Sequence, residues 1–253
     1  MAERVDVLGC RVDPVTLEQA VERCAAAIRA RKPLMQFSAN AAKVVRLRED
    51  APLAQIAAES GLVTADGASV VLASRVLGDP LPERVTGIDL MERLLARAEQ
   101  AGWRVFVLGA RTEELGAAIA EIAARHPSLE LAGHHNGYFD AAADPVVVRE
   151  IADARADLLF VAMGSPRSER WIAERLPALG VSVAMGVGGS VDVLAGKVRR
   201  APVLFQRWHL EWLYRLAQEP RRLIGRNLVS LIFWRLVVGE RIRRPRRALP
   251  PPA

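Results

Sequence analysis

Short apolar runs recur along this chain with helix-length segments between them, and that alternation constrains the fold more than any other feature. The runs are Val5–Leu8, Leu34–Phe37, Leu62–Thr64, Trp103–Leu108, Leu129–Ala132, Asp157–Met163 and Val181–Met185. Most are apolar at successive positions rather than at alternate ones, as expected of strands covered on both faces. Thr16 with Gln19 has the spacing of a capping box and predicts a helix running to about Ala30. Further helices are predicted from Ala41 to Ser60 in segments, and from about Glu113 to Arg125. The class these elements define is α/β, a parallel sheet flanked by helices. At 253 residues and 51% hydrophobic, the chain can bury a sizeable core.

From Ala201 the pattern changes. Strands stop, and Trp208, Trp212, Tyr214 and Trp234 alternate with arginines. We therefore divide the chain into an α/β domain at 1–196, a basic helical appendage at 197–244, and a Pro/Arg-rich tail at 245–253 whose composition predicts disorder. Between Lys197 and Arg247 there are 14 Lys and Arg against three acids, a net of +11. With +6 for the whole chain, the rest carries −5. A mildly acidic body with a strongly basic end implies a polyanionic partner: nucleic acid, anionic lipid or a diphosphate. Leu228, Val229, Leu231, Ile232, Phe233, Trp234, Leu236 and Val237 form an apolar block among arginines, the composition of an interfacial helix on an anionic membrane surface. The longest apolar candidate for a span, Asn227 to Val238, is short and contains Arg235, so no bilayer crossing is expected. Cys10 and Cys24 have no metal-type spacing and build no disulfide framework, and residues 1–30 lack a secretory pattern. Both fit a cytoplasmic location, peripheral on the inner membrane face.

Each predicted strand is followed by a Gly-rich or polar cluster. These are Ser38–Asn40, Asp66–Gly67, Gly109, Gly133–Gly137, Gly164–Glu169 and Gly186–Asp192. In a parallel sheet they all lie at the carboxyl ends of the strands, where open α/β folds bind ligands. Any one βα turn needs glycine and polar residues for its own sake, but six clusters on one edge point to a site. Ser165 and Pro166 suit an N-cap and a first helical position, and a helix start offers N–H groups to a phosphate. Gly188 and Gly189 offer bare backbone in the same way, without the dinucleotide fingerprint. Asp66 ends a short strand and precedes a glycine, a position open to both a turn role and a catalytic one. His134 and His135 have no ligand-spaced companions, and no Asp-x-Asp pair occurs, so neither a metal nor another cofactor is expected. Arginines and backbone N–H groups would then neutralise any bound diphosphate.

The motifs TADG at 64–67, RVTGIDL at 84–90, GHHNGYF at 133–139, FVAMGSPRSE at 160–169, GVGGSVDVLAG at 186–196 and RAP…LEWLYRLAQEPRR at 200–222 together resemble the TagA/WecG/CpsF glycosyltransferases. The resemblance spans roughly Ser38 to Arg226. It implies a Rossmann-like core with a C-terminal appendage. It also implies transfer from a UDP-sugar, often UDP-N-acetylmannosamine or its uronic acid, to an undecaprenyl-diphosphate-linked sugar in surface-polysaccharide synthesis. Asp66 falls on the family's general base, Ser38 where the family usually has Thr, and Asn40 on its Asn. Arg215 and Arg222 fall on appendage arginines that fold over the active site. Gly67, Arg84, His135, Gly164, Ser165, Glu169, Gly188, Gly189 and Asp192 lie within the matched motifs and, with the strand-end Gly109, are candidate substrate-binding positions. The family's motif usually reads Gly-Ser-Pro-Lys-Gln-Glu, with Gln where this chain has Ser168. Many members carry Arg where this chain has Gly225, followed here by Arg226.

The expected reaction is an inverting displacement. Asp66 removes the proton of an acceptor hydroxyl, and Arg215, Arg222 and Arg226 receive the charge that develops on departing UDP. Two other classes share features of the chain. A nucleic-acid module would use the basic end but leaves Asp66 and the strand-end clusters idle. A nicotinamide-dependent dehydrogenase would need the missing fingerprint. Neither the sugar nor the oligomeric state is fixed by the sequence, and a homo-oligomer is compatible with it.

Overall fold

The structure, a computed structural model, describes residues 3–197 and 220–243, with side chains in the last segment from residue 229 onward. Six parallel strands form the central sheet: β3 (Leu34–Ala39), β4 (Leu62–Ala65), β5 (Arg104–Gly109), β6 (Glu130–His135), β7 (Leu158–Ala162) and β8 (Val183–Gly186). Their spatial order is β4-β3-β8-β7-β5-β6. The inner strands are almost wholly buried, which is why their sequences read as continuous apolar runs.

Helices cover both faces. On one side α1 (Leu17–Arg29), α5 (Gly87–Ala101), α6 (Thr112–Arg125) and α9 (Ser190–Leu194) close over Val105, Val107, Phe160, Val183 and Met185. On the other, α7 (Asp144–Asp153) and α8 (Arg167–Leu179) pack on Phe106, Leu108, Leu159 and Val161. The expected capping box opens α1: Thr16 Oγ1 accepts from Gln19 N–H, and the Gln19 side chain accepts from Thr16 N–H. The predicted helical stretch from Ala41 to Ser60 is two helices, α2 (Ala41–Leu47) and α3 (Ala51–Glu59), each capped by the side chain before it, Asn40 and Asp50.

The first apolar run departs from expectation. It does not join the parallel sheet. β1 (Val5–Val7) pairs antiparallel with β2 (Cys10–Val12), a strand the sequence did not announce. Leu8 and Gly9 both have positive φ, as a two-residue hairpin turn requires. The segment after this hairpin then seals the open edge of β4: Asp13 N–H donates to Val63 O at 2.9 Å, and Asp13 Oδ2 accepts from Val63 N–H at 2.7 Å. Arg4 and Arg23 neutralise Asp13. An edge strand left bare would invite pairing with another chain.

The apolar block near the C-terminus also differs from its reading as one membrane-facing surface. It lies in α10 (Pro220–Arg243), which packs against α2 and α4 (Ala68–Leu77). Phe233 and Val237 are 0% exposed and share a core cluster with Val44, Val70 and Val71. Leu231, Val238 and Ile242 are 70%, 53% and 79% exposed. At about 100° per residue these three project away from the core-facing pair. Among the described residues no helix is long and apolar enough to cross a membrane.

Candidate active site at the carboxyl edge

The strand ends bring most of the sequence candidates to one edge of the sheet. Ser38 on β3 is paired in register with Thr64 on β4, and Asp66 N–H donates to Ala39 O at 2.8 Å. Val85 N–H donates to Ala65 O at 3.0 Å and draws the 84–87 segment onto the same corner. A side chain at Gly87 would meet Ser38 Oγ at 3.5 Å, and one at Gly67 would meet Asn40 Cβ at 3.8 Å. So Ser38, Asn40, Asp66, Gly67 and the start of α5 converge, with Arg84 and Asp66 half-buried beside them. Below them lies a buried polar layer the sequence did not single out: Gln36 Nε2 donates to Thr64 Oγ1 at 2.9 Å and to Ser38 Oγ at 3.3 Å.

Next to this corner stands the start of α8. Ser165 was expected to cap it, but the cap position is Pro166, and no side chain caps the helix. The chain already turns at Gly164, whose carbonyl accepts from Ser168 N–H at 2.8 Å. Ser168 is buried, and its hydroxyl accepts from Met163 N–H at 3.0 Å, closing the 163–168 turn from inside. Glu169, in the first turn, stands over Gly186 at the end of β8. Its Oε1 pairs with Lys43 Nζ at 2.6 Å, and both side chains are almost wholly buried. Its Oε2 is buried without a hydrogen-bond partner. A carboxylate thus sits in the first turn of the helix whose start the sequence suggested for a phosphate, but it is held by Lys43 and caps no backbone N–H there. Lys43 escaped the sequence reading, although it sits three residues after Asn40, whose Oδ1 accepts from its N–H at 3.0 Å.

The chain leaves β5 toward β6 and leaves β7 toward β8, so the order of connections reverses between these two neighbours. Such a reversal opens a crevice at the carboxyl edge. Its floor is bare backbone. Gly109 has φ +128°, and a Cβ there would come within 2.5 Å of the Ala162 carbonyl. A Cβ at Gly137 would meet Gly109 Cα at 2.9 Å. Ala110 N–H donates to Ala162 O at 2.9 Å, and Gly137 N–H to Ala110 O at 3.0 Å. His135 ends β6, with Nδ1 2.7 Å from Asn136 O. A carbonyl can only accept, so this contact fixes Nδ1 as the protonated nitrogen. Gly164, Ser165, Gly188 and Gly189 are exposed along the same edge, with Asp192 half-buried beside Gly189. Lys197 ties the end of α9 to α6 through Glu114, Nζ to Oε1 at 2.6 Å.

Arg215 lies outside the described residues. Arg222 and Arg226 belong to the backbone of α10, and their side chains lie outside those described. Among the described residues no group of three His, Cys, Asp or Glu side chains converges as metal ligands would. Burial pushes the Cys10 and Cys24 thiols up to about 12, so neither is a thiolate nucleophile at neutral pH. A groove of about 480 Å³ between α7 and α8 lies off this edge. Its carboxylate, Asp144, is engaged by Trp171 Nε1 at 2.6 Å and Arg175 Nε at 2.8 Å.

A parallel sheet covered on both faces, with polar loops gathered at its carboxyl edge and a carboxylate at the end of β4, defines the class: an open α/β protein, a fold in which ligands generally bind at that edge. The particular family follows from comparison. The chain belongs to the glycosyl transferase WecG/TagA/CpsF family, which it matches over residues 5–247. It is 33% identical over 240 residues to the N-acetylglucosaminyldiphosphoundecaprenol N-acetyl-beta-D-mannosaminyltransferase of Staphylococcus aureus strain MW2, covering 94% of each chain. The protein of the same name from strain MRSA252 is similar to the same extent.

Proposed function

We propose that this protein transfers N-acetylmannosamine, its uronic acid or a related hexose from UDP to a saccharide carried on undecaprenyl diphosphate, with inversion and without a metal. The observation that carries this reading is similarity to the Staphylococcus aureus transferases along 94% of the chain. Asp66, at the end of β4, is the base in this reading. It takes the proton of the acceptor hydroxyl while that oxygen bonds to the anomeric carbon. The bond from that carbon to the UDP oxygen breaks, and its electron pair leaves with UDP. Arg84 in the core and Arg215, Arg222 and Arg226 in the appendage receive the charge. The test is a screen of UDP-sugars against a synthetic lipid-diphosphate acceptor, read by product mass. One UDP-hexose should give a singly glycosylated product, with full turnover in EDTA. Loss of turnover in EDTA that magnesium or manganese restores would sink the metal-free reading.

In the same reading the enzyme works at an anionic membrane surface, because its acceptor is lipid-bound. Support comes from the outward residues Leu231, Val238 and Ile242 of α10, which run alongside Arg235 and Arg241. Exchanging Leu231 and Ile242 for Ser should reduce partition onto vesicles containing anionic lipid by about tenfold, the effect of about 1.4 kcal/mol, and added salt should weaken binding further. Co-sedimentation measures this. A double variant that sediments like the parent would remove α10 from the membrane contact. Phe233 is unsuitable for the test, because its side chain is core.

A further inference from the structure

The layer beneath the Ser38–Asp66 corner is polar where the core around it is not. Gln36 and Ser38 are two residues apart on β3 and so lie on one face of the sheet, and Thr64 is paired in register with Ser38 on that face. Leu62 and Met185, the partners of Gln36 on the adjacent strands, belong to the apolar cluster closed by α1 and α5. Gln36, Ser38 and Thr64 are 1%, 4% and 0% exposed. Apolar side chains at these positions would fill the face as Leu62 and Met185 do, without the cost of taking an amide and two hydroxyls out of water. The core alone does not call for this layer. Gln36 Nε2 donates to Thr64 Oγ1 at 2.9 Å and to Ser38 Oγ at 3.3 Å, and Ser38 Oγ stands 3.5 Å from Gln36 Oε1. Ser38 thus lies against both ends of the amide, with a donor on one side and, at the outer limit of a hydrogen bond, an acceptor on the other. Exchanging the amide nitrogen and oxygen leaves that arrangement unchanged. The Ser38 oxygen is fixed, while its proton is weakly held. Ser38 is also the outermost of the three. The carbonyl of the next residue, Ala39, accepts from Asp66 N–H at 2.8 Å, and Gly87 stands against Ser38 without a side chain, where a Cβ would meet Oγ at 3.5 Å.

We propose that Gln36 is a positioning residue for sugar transfer: its amide holds the Ser38 hydroxyl at the Asp66 corner and leaves the hydroxyl proton for an oxygen of the reacting sugars. The assignment rests on the glycosyl-transfer reading and deepens it, since it adds a hydrogen-bond donor to the corner where Asp66 is the acceptor of a proton. A serine hydroxyl in a purely apolar wall turns its proton to a nearby backbone carbonyl. With the amide beneath it, Ser38 gives up only a 3.5 Å contact when it donates to substrate, and its oxygen stays tethered to Nε2. In a site from which water is excluded, that new bond is stronger than it would be in solvent.

The experiment uses Gln36→Met, which keeps the length of the side chain and removes its amide, and Gln36→Met combined with Thr64→Val. The double variant makes both ends of the 2.9 Å bond apolar and should melt like the parent. Each is compared with Ser38→Ala in transfer from the UDP-hexose that the donor screen selects, with UDP affinity measured by calorimetry. In the double variant kcat should fall about tenfold, the scale of one neutral hydrogen bond, while UDP binds as it does to the parent. Ser38→Ala should lose as much, and adding it to Gln36→Met should cost little more, because both changes remove one contact. Parental kcat in a double variant that melts like the parent overturns the proposal, as does a loss matched by weaker UDP binding. Losses for Gln36→Met and Ser38→Ala that multiply overturn it too, because Gln36 then acts independently of Ser38. A double variant that fails to fold shows that the core needs the amide and removes the ground for a positioning role. A parent chain that transfers no hexose overturns the glycosyl-transfer reading itself, and the role of Gln36 with it.

Discussion

Asp66→Asn is expected to lower turnover by about 10²-fold or more, the scale on which a positioned general base acts, while UDP affinity stays within about twofold of the parent on that same account. The substitution keeps size and shape and removes only the capacity to take a proton. The backbone contact that places the residue, Asp66 N–H to Ala39 O, is unaffected by a change of side chain. A loss through misplacement of the corner would therefore have to come from the side chain's own contacts, and a melting curve tests that separately. The readout is single-turnover transfer to the lipid-linked acceptor alongside UDP titration. Turnover near the parental rate would remove Asp66 from the chemistry. Loss of turnover together with loss of UDP binding would make it a donor contact instead of a base.

Asp66 could be picked out in the sequence because a short apolar run ends at it and a glycine follows. The same logic made the sheet legible: strands buried on both faces appear as apolar runs, and the helices between them fill the crossovers that parallel pairing requires. What escaped was whatever depends on contact between distant segments. β2 is three residues with an exposed arginine at its centre, and its Leu8-Gly9 turn lacks the usual Asn-Gly signal. The apolar block of α10 could not be divided into core and outer faces until α2 and α4 were seen to offer Val44, Val70 and Val71 to Phe233. Ser165 has the residue type of a cap, but the turn that begins at Gly164 puts Pro166 at the helix start. The edge loops were legible as a set, whereas their pairing across the edge was not, and Lys43 is the plainest case.

Lys43→Met is expected to destabilise the fold by about 3–5 kcal/mol, the cost of leaving one charge of a buried ion pair without its partner. The Lys43 and Glu169 side chains are 12% and 4% exposed, so water cannot take over from the missing ammonium. Glu169 Oε2 already lacks a partner, which leaves Lys43 as the group that holds this carboxylate through Oε1. Urea unfolding of the single variant should show an earlier midpoint with an unchanged slope. Exchanging both residues, Lys43→Met with Glu169→Met, should recover most of the loss, because apolar residues of similar volume replace buried ion pairs at little cost. A single variant as stable as the parent would show that the pair is solvated and contributes nothing. The double variant also separates fold from function. Lys43 belongs to the first turn of α2, after the Asn40 cap, and Glu169 to the first turn of α8, so their contact spans the end of β8 at Gly186. If the double variant regains stability but transfers sugar slowly, the pair serves to set the spacing between the Asn40–Asp66 corner and the α8 turn. If it regains both, the pair is needed only for the fold, and the site geometry is fixed by the backbone bonds from Asp66 to Ala39 and from Val85 to Ala65.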